Sequence, residues 1–131
     1  MENQELMEKS MTIQTKIVFP AAQNEHRTLF GGEAMKWMDE VAYICALRFA
    51  KQPVVTANCE NIKFLKPIHE GDIVDIVAKV QSHNSIKLTI VVEVFSEKMY
   101  ETGKMKCVSA IFTFVAVNKN DKITKFNFCT N

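Results

Sequence analysis

Hydrophobic residues dominate the segment 33–50, EAMKWMDEVAYICALRFA, on nearly every side of a helical repeat. Gly31-Gly32 directly precedes this segment and Pro53 follows it, so we expect a helix that begins at the glycines and ends near Lys51. A helix that is apolar nearly all round is normally surrounded by protein. The pattern therefore predicts one long, central helix.

Alternation of apolar and polar residues predicts strands on both sides of this helix. The predicted strands are 11–19, 54–65, 73–81, 86–95 and 105–117. Pro20 ends the first of them, and the last is apolar on both faces. Short connections, such as 82–85, separate the later strands and favour antiparallel pairing.

The element order β-α-β-β-β-β predicts an α+β fold, in which a curved antiparallel sheet of about five strands wraps the long central helix. The 131 residues are expected to form one domain, because a chain of this length has room for one sizeable core. Residues 1–10 are predicted to be a loosely docked lead-in, and residues 119–131 a variable tail. The other face and the edges of the sheet would still need cover, so we expect a dimer.

Composition and charge exclude several function classes. The chain is 47% hydrophobic and 24% charged, close to an average soluble protein, and its formal net charge is +1. A nearly neutral chain gives no electrostatic case for nucleic acid or an anionic membrane surface as a partner. No apolar run is long enough for membrane insertion. The acidic, polar N-terminus is unlike a signal peptide, so we expect a cytoplasmic location.

The four cysteines and three histidines show no spacing typical of a metal site. The cysteines lie far apart along the chain, at Cys45, Cys59, Cys107 and Cys129. We therefore expect reduced, mostly buried thiols and no bound metal.

Three segments resemble one known family. The stretch NEHRTLFGGEAMKWMDEVA at 24–42 is similar to the signature of hot-dog-fold acyl-CoA thioesterases. The nearest branch contains the bacterial YciA-type hydrolases and the mammalian cytosolic and brown-fat-inducible enzymes. A second match is the segment 64–76, FLKPIHEGDIVDI, which resembles the family's aromatic-to-Gly-Asp strand and turn. A third is the segment 109–117, SAIFTFVAV, which resembles the family's late strand. The resemblance covers about residues 11–118 and implies the hot-dog fold.

The resemblance also implies an activity, the hydrolysis of acyl-CoA thioesters to a free carboxylic acid and coenzyme A. No metal or redox cofactor is implied, since coenzyme A is part of the substrate and of the product. The implied assembly is a homodimer, further arranged as a trimer of dimers. In such dimers an Asn of one subunit meets an Asp of the other, and these residues are here Asn24 and Asp39.

The chemistry of the reaction agrees with these positions. Asp39 is a carboxylate in an apolar helix, and we interpret it as the general base or the nucleophile; a structural salt bridge is the alternative. Gly31 and Gly32 offer free N–H groups at the helix start to the oxyanion of a thioester, although Gly-Gly can also be a plain turn. Asp39 lies about 10 Å along the helix from Gly32, too far to act at its own helix start. Asn24 is expected to orient the water or the carbonyl, with an Asx turn as the alternative.

Further residues are predicted to contact the substrate: His26, Arg27, Lys66, Ser85 and Lys87. For a loop histidine or a lysine at a strand end, plain solvent exposure is the alternative. Arg27 stands where the family usually has glycine. If the backbone there has a positive φ, arginine is strained; alternatively, its cation contacts a phosphate of coenzyme A.

Two other functions fit a hot-dog fold. Hydratases of this fold typically pair a histidine with a carboxylate, and the predicted helix contains no histidine. The second is a non-enzymatic acyl-CoA-binding or sensor protein. Release of free thiol from acyl-CoA would exclude this second function.

Overall fold

The computed structural model describes residues 3–20 and 24–127. Its helices are α1 (Asn3–Ser10) and α2 (Gly31–Ala50). Its strands are β1 (Thr12–Ile17), β2 (Val54–Phe64), β3 (Ile73–His83), β4 (Leu88–Glu97), β5 (Met105–Val117) and β6 (Ile123–Thr124). Every pair among these strands is antiparallel.

The central helix α2 has the bounds that the apolar segment predicts. It begins at Gly31 after Phe30, whose backbone is extended and provides no side-chain cap. Lys51 ends it in the left-handed conformation, with φ 55°. One strip of the helix is nevertheless open to solvent, so the chain does not surround α2 completely as expected. The exposed members of this strip are Lys36, Glu40, Tyr43 and Ile44.

The sheet order is β1-β3-β4-β5-β2, with β6 beside the end of β5. β3, β4 and β5 follow one another in sequence and in space, whereas β2 pairs with β5 at one edge and β1 with β3 at the other. The later strands are thus antiparallel, as their short connections favour, but β2 does not lie beside its neighbour in sequence, β3. Because α2 contacts all five of the longer strands, the sheet wraps the helix in the expected hot-dog arrangement.

The core lies between α2 and the inner face of β3, β4 and β5. The alternation in β3 and β4 buries the residues that the pattern assigns to one face, which are Val74, Ile76, Ala78, Val80, Leu88, Ile90, Val92 and Val94. Ile86 shares that alternation but lies in the 84–87 turn and is exposed. The strand starts two residues later than predicted because the Asn84 side chain accepts hydrogen bonds from the backbone N–H groups of Ile86 and Lys87.

Both chain ends are more ordered than the sequence predicts. The lead-in forms α1, whose Leu6 and Met7 pack against the core. The tail adds β6 to the sheet and buries Phe126 completely. Residues 1–2, the loop positions 21–23 and the last four residues of the tail lie outside the described residues.

One edge of the sheet is open. Within residues 3–20 and 24–127, β2 pairs with β5 along one side only, and most of its residues are exposed on both faces. Beside it lies the exposed strip of α2. The two elements together form an apolar surface that the chain itself leaves uncovered, with Tyr43, Ile44, Val55, Ile62 and Phe64 exposed.

Candidate functional site

A groove of about 360 Å³ opens at the start of α2. Residues from four places in the sequence line it: the end of the 24–30 loop, the first turn of α2, the end of β2 with the segment that follows it, and β5. The lining residues are Thr28, Leu29, Gly31, Ala34, Phe64, Leu65, Lys66, Pro67, Ile68 and Val108. The Leu29 N–H donates to the Ile68 carbonyl at 2.7 Å, which joins the two loops at the groove wall.

The first turn of α2 borders this groove through Gly31 and Ala34. The N–H groups of Glu33 and Ala34 donate to the Phe30 carbonyl, at 3.0 and 3.1 Å. Within the described residues, the N–H groups of Gly31 and Gly32 have no such partner, as expected at a helix start. A Cβ on Gly31 would lie 3.5 Å from the Phe64 ring, so the glycine also keeps the groove open beside that ring. This geometry suits a developing oxyanion.

Asn24 organises the loop that leads into the groove. Its side-chain oxygen accepts the N–H groups of His26 and Thr28 at 2.8 and 3.2 Å, and its Nδ2 donates to Thr28 Oγ1 at 2.9 Å. This is the Asx-turn arrangement that the sequence left open as an alternative. It uses one of the two N–H groups of Nδ2, and it places the amide next to Thr28, a lining residue of the groove.

Arg27, in the same turn, adopts a φ of 62°. The condition under which the sequence predicts strain is therefore met. An L-residue in this region brings its Cβ close to the backbone, at a cost of about 1–2 kcal/mol. The side chain itself is exposed.

Asp39 lies away from the groove of its own subunit, in the middle of α2. It is half-buried, and Thr56 Oγ1 on β2 donates a hydrogen bond of 2.9 Å to its Oδ1. No salt bridge to Asp39 occurs within residues 3–20 and 24–127, so the structural ion pair kept as an alternative is not found there. Sequence patterns did not reveal Thr56, because its position in an exposed strand follows no local pattern.

The thiol of Cys59 lies in the same neighbourhood on β2. Burial raises the pKa of Cys59, and the carboxylates of Asp39 and Glu60 raise it further. Burial first, and then the negative charge of these two carboxylates, therefore disfavour the thiolate form of Cys59.

The predicted substrate contacts divide into two groups. Lys66 lines the groove, and the exposed side chains of His26 and Arg27 lie in the adjoining loop. Ser85 and Lys87 lie in the turn before β4, at the far end of the sheet. Val94 pairs with the groove residue Val108, so the six residue steps from Leu88 to Val94 along β4 separate this turn from the groove by about 20 Å. One subunit therefore does not bring the two groups together.

Two further features are absent from the described residues. None of the described helices is long and apolar enough to cross a membrane. Within the same residues, no group of His, Cys, Asp and Glu side chains could hold a metal ion.

Comparison with known proteins shows the family. The model of the thioesterase superfamily matches residues 26–102. An uncharacterized acyl-CoA thioester hydrolase of Bacillus subtilis, YkhA, is 33% identical over 87% of this chain, which spans 66% of the length of YkhA.

Two solved structures are similar throughout. An acyl-CoA hydrolase of Staphylococcus aureus, in complex with butyryl coenzyme A and coenzyme A, is 33% identical; the match has a TM-score of 0.86 and covers 92% of this chain and 73% of that one. A hexameric thioesterase of Yersinia pestis is 30% identical, with a TM-score of 0.81 over 88% of this chain and 93% of that one.

The Staphylococcus aureus hydrolase has also been solved with single Asn-to-Ala, Asp-to-Ala and Thr-to-Ala substitutions. Its three substituted positions are 15 and 17 residues apart. The family model, the sequence identities and the structural similarities all indicate the same family. The chain therefore belongs to the thioesterase superfamily, among its acyl-CoA thioester hydrolases.

Proposed function

We propose that this protein hydrolyses acyl-CoA thioesters to a carboxylic acid and coenzyme A, at sites shared between two copies of the chain. The observation that carries the proposal is the separation of two half-sites. One is the groove with the free N–H groups of Gly31 and Gly32. The other is the Asp39 carboxylate held by Thr56.

The two half-sites cannot meet within one subunit. Asp39 lies about 10 Å from Gly32 along the helix axis. Among the described residues, no carboxylate lines the groove. Thioester hydrolysis needs a group that activates water or attacks the carbonyl, together with donors for the oxyanion. A second copy supplies the missing carboxylate if the two α2 helices lie antiparallel side by side.

The uncovered surface beside Asp39 supports such a dimer. The free edge of β2 can pair with the same edge of a second copy, because an antiparallel pair of identical strands has two-fold symmetry. Val55, Ile62 and the exposed strip of α2 would then be buried. The hexameric relative from Yersinia pestis supports three such dimers in one assembly.

Within this site we assign four roles. Asp39 takes a proton from water or attacks the thioester carbonyl directly. Thr56 holds the carboxylate, Asn24 directs its second Nδ2 N–H to the water or carbonyl, and the glycine N–H groups bind the oxyanion. The assignment is supported by spacing: Asn24, Asp39 and Thr56 are 15 and 17 residues apart, as are the three positions substituted in the Staphylococcus aureus hydrolase.

The remaining predictions belong to the same proposal. Lys66, His26 and Arg27 would contact the substrate at the groove, and Ser85 and Lys87 would reach it from another subunit. No metal or redox cofactor has a role in the proposed hydrolysis, and coenzyme A enters only as part of the substrate. A cytoplasmic location stays a prediction.

Co-expression of two inactive variants tests the shared site. Asp39→Ala and Asn24→Ala, each with its own affinity tag, remove one residue from each half-site. In a mixed dimer one site carries both substitutions and the other carries neither. Random pairing should therefore restore about a quarter of the wild-type activity, measured as free thiol released from acyl-CoA of several chain lengths.

The contrary outcomes are distinct. Mixed dimers as inactive as either parent would place the whole site in one subunit. A wild-type protein that binds acyl-CoA but releases no thiol would be a binding or sensor protein and not an enzyme.

A further inference from the structure

The Gly-Asp turn, residues 68–72, contains a buried carboxylate outside the site already described. The Asp72 side chain is 3% exposed. It accepts a hydrogen bond of 2.9 Å from the His69 N–H, and the Asp72 N–H donates to the His69 carbonyl at 3.0 Å, so the two bonds close the turn. Lys98, which follows β4, donates from Nζ to both carboxylate oxygens of Asp72, at 2.9 and 3.0 Å.

The backbone of this turn is bonded to the loop that carries Asn24. The Leu29 N–H donates to the Ile68 carbonyl, and Thr28 forms an antiparallel bridge with His69. Thr28 is in turn bonded to Asn24 through both its backbone and its side chain. A continuous series of contacts therefore runs from the buried ion pair, through the two loops, to the Asn24 amide.

The turn is also fastened to the sheet. The Val18 N–H, just after β1, donates to the Asp72 carbonyl at 3.0 Å, and the Gly71 N–H donates to the Val18 carbonyl at 2.9 Å. Lys98 holds the same turn from the end of β4. The ion pair thus ties the turn to the part of the sheet formed by β1, β3 and β4.

We propose that Lys98 and Asp72 are positioning residues, which hold the Gly-Asp turn and through it set the place of Asn24 in the site. The inference rests on the proposed function, in which Asn24 directs an N–H group to the water or the carbonyl. A buried carboxylate is costly unless it is paired and hydrogen-bonded, so Lys98 stabilises the closed form of the turn. A catalytic group on a loop needs such support, because small displacements from the productive geometry reduce the rate.

The test compares Lys98→Gln with Lys106→Gln, a matched control. Lys106 forms an ion pair with Glu93 at 3.0 Å, and its side chain is 45% exposed against 44% for Lys98. Lys98→Gln should lower kcat about tenfold and leave KM within about twofold, since a misplacement of about 1 Å can cost roughly a hundredfold. Lys98→Arg should keep kcat near the wild-type value, because a guanidinium also donates to a carboxylate. Lys106→Gln should be as active as wild type.

A double-mutant comparison separates positioning from general destabilisation. If the ion pair acts through Asn24, adding Lys98→Gln to Asn24→Ala should lower kcat no further. A loss of folded protein would instead lower activity by the same factor in both backgrounds. Lys98→Gln leaves the buried Asp72 carboxylate unpaired, which can prevent folding. Asp72→Ala combined with Lys98→Met removes both charges and should give the same loss of kcat.

Amide hydrogen exchange follows the same contacts without any substrate. In Lys98→Gln the N–H groups of His26, Thr28 and Leu29 should exchange faster than in wild type, whereas amides in the middle of α2 should stay protected. Unchanged exchange at these three positions, or an equal loss of kcat in both backgrounds, would overturn the inference. Faster exchange in the variant of a protein whose wild type releases no thiol would contradict the proposed function alone.

Discussion

Replacement of Arg27 by glycine should stabilise the protein, although it removes a side chain from the edge of the candidate site. The Arg27 backbone has a φ of 62°, which costs an L-residue about 1–2 kcal/mol. Glycine removes that cost but gains about 0.5–1 kcal/mol of conformational freedom in the unfolded chain. The net gain in the free energy of unfolding should be about 0.5–1 kcal/mol.

Arg27→Ala is the matched control, because it also removes the cation but keeps a Cβ at the strained position. Its stability should stay within about 0.5 kcal/mol of wild type. Urea denaturation at one protein concentration measures all three proteins, since stability of an oligomer depends on concentration. Glycine and alanine variants of equal stability would refute the strain argument.

The same two variants separate stability from binding. If the guanidinium contacts a phosphate of coenzyme A, both should raise KM for acyl-CoA equally, although only the glycine variant gains stability. An unchanged KM in both would leave Arg27 without a role in substrate binding.

Three further predictions concern individual side chains. Thr56→Val should lower kcat about tenfold without raising KM, since the valine cannot donate a hydrogen bond to the Asp39 carboxylate. Thr56→Ser should restore kcat, and Thr89→Val on β4 should leave kcat unchanged. Hydrogen bonds from Lys104 and Thr15 lower the pKa of the Asp75 carboxyl below its ordinary value of 3.8. The stabilisation that these hydrogen bonds provide is complete above pH 3.8 and is lost as the pH falls through the lower pKa of the folded protein. Acid unfolding should accordingly be less steep in Asp75→Asn, and an identical profile would contradict this. Burial raises the pKa of Cys45 to about 11. Alkylation at neutral pH, mapped by mass spectrometry, should therefore spare Cys45 until the protein unfolds. Fast labelling of Cys45 in the folded protein would contradict this prediction.

Local pattern predicted the elements whose neighbours in sequence decide their structure. The bounds of α2 follow from an apolar run between Gly31-Gly32 and Pro53, and β5 has the predicted bounds of 105–117. The inner faces of β3 and β4 follow from alternation of period two. The positive φ of Arg27 meets the condition under which the sequence expects strain there; the φ of a turn is a local property.

Nearest neighbours could not reveal long-range pairing. β2 lies beside β5 and not beside β3, because the stability of a strand pair depends on the partner face and not on sequence order. The order of both chain ends has the same origin. Neither α1 nor β6 has a strong pattern of its own, and each forms where the assembled sheet and α2 offer apolar surface.

The candidate site shows the same division. The resemblance of segment 24–42 to the thioesterase signature, together with residue chemistry, singles out Asn24, the glycine pair and Asp39 as candidates. Tertiary structure alone brings Thr56 to Asp39 and separates Asp39 from the groove. It also leaves β2 with a free edge. The physical reason is that sequence periodicity determines which face of an element is apolar, whereas contacts between distant segments decide which of those faces meet.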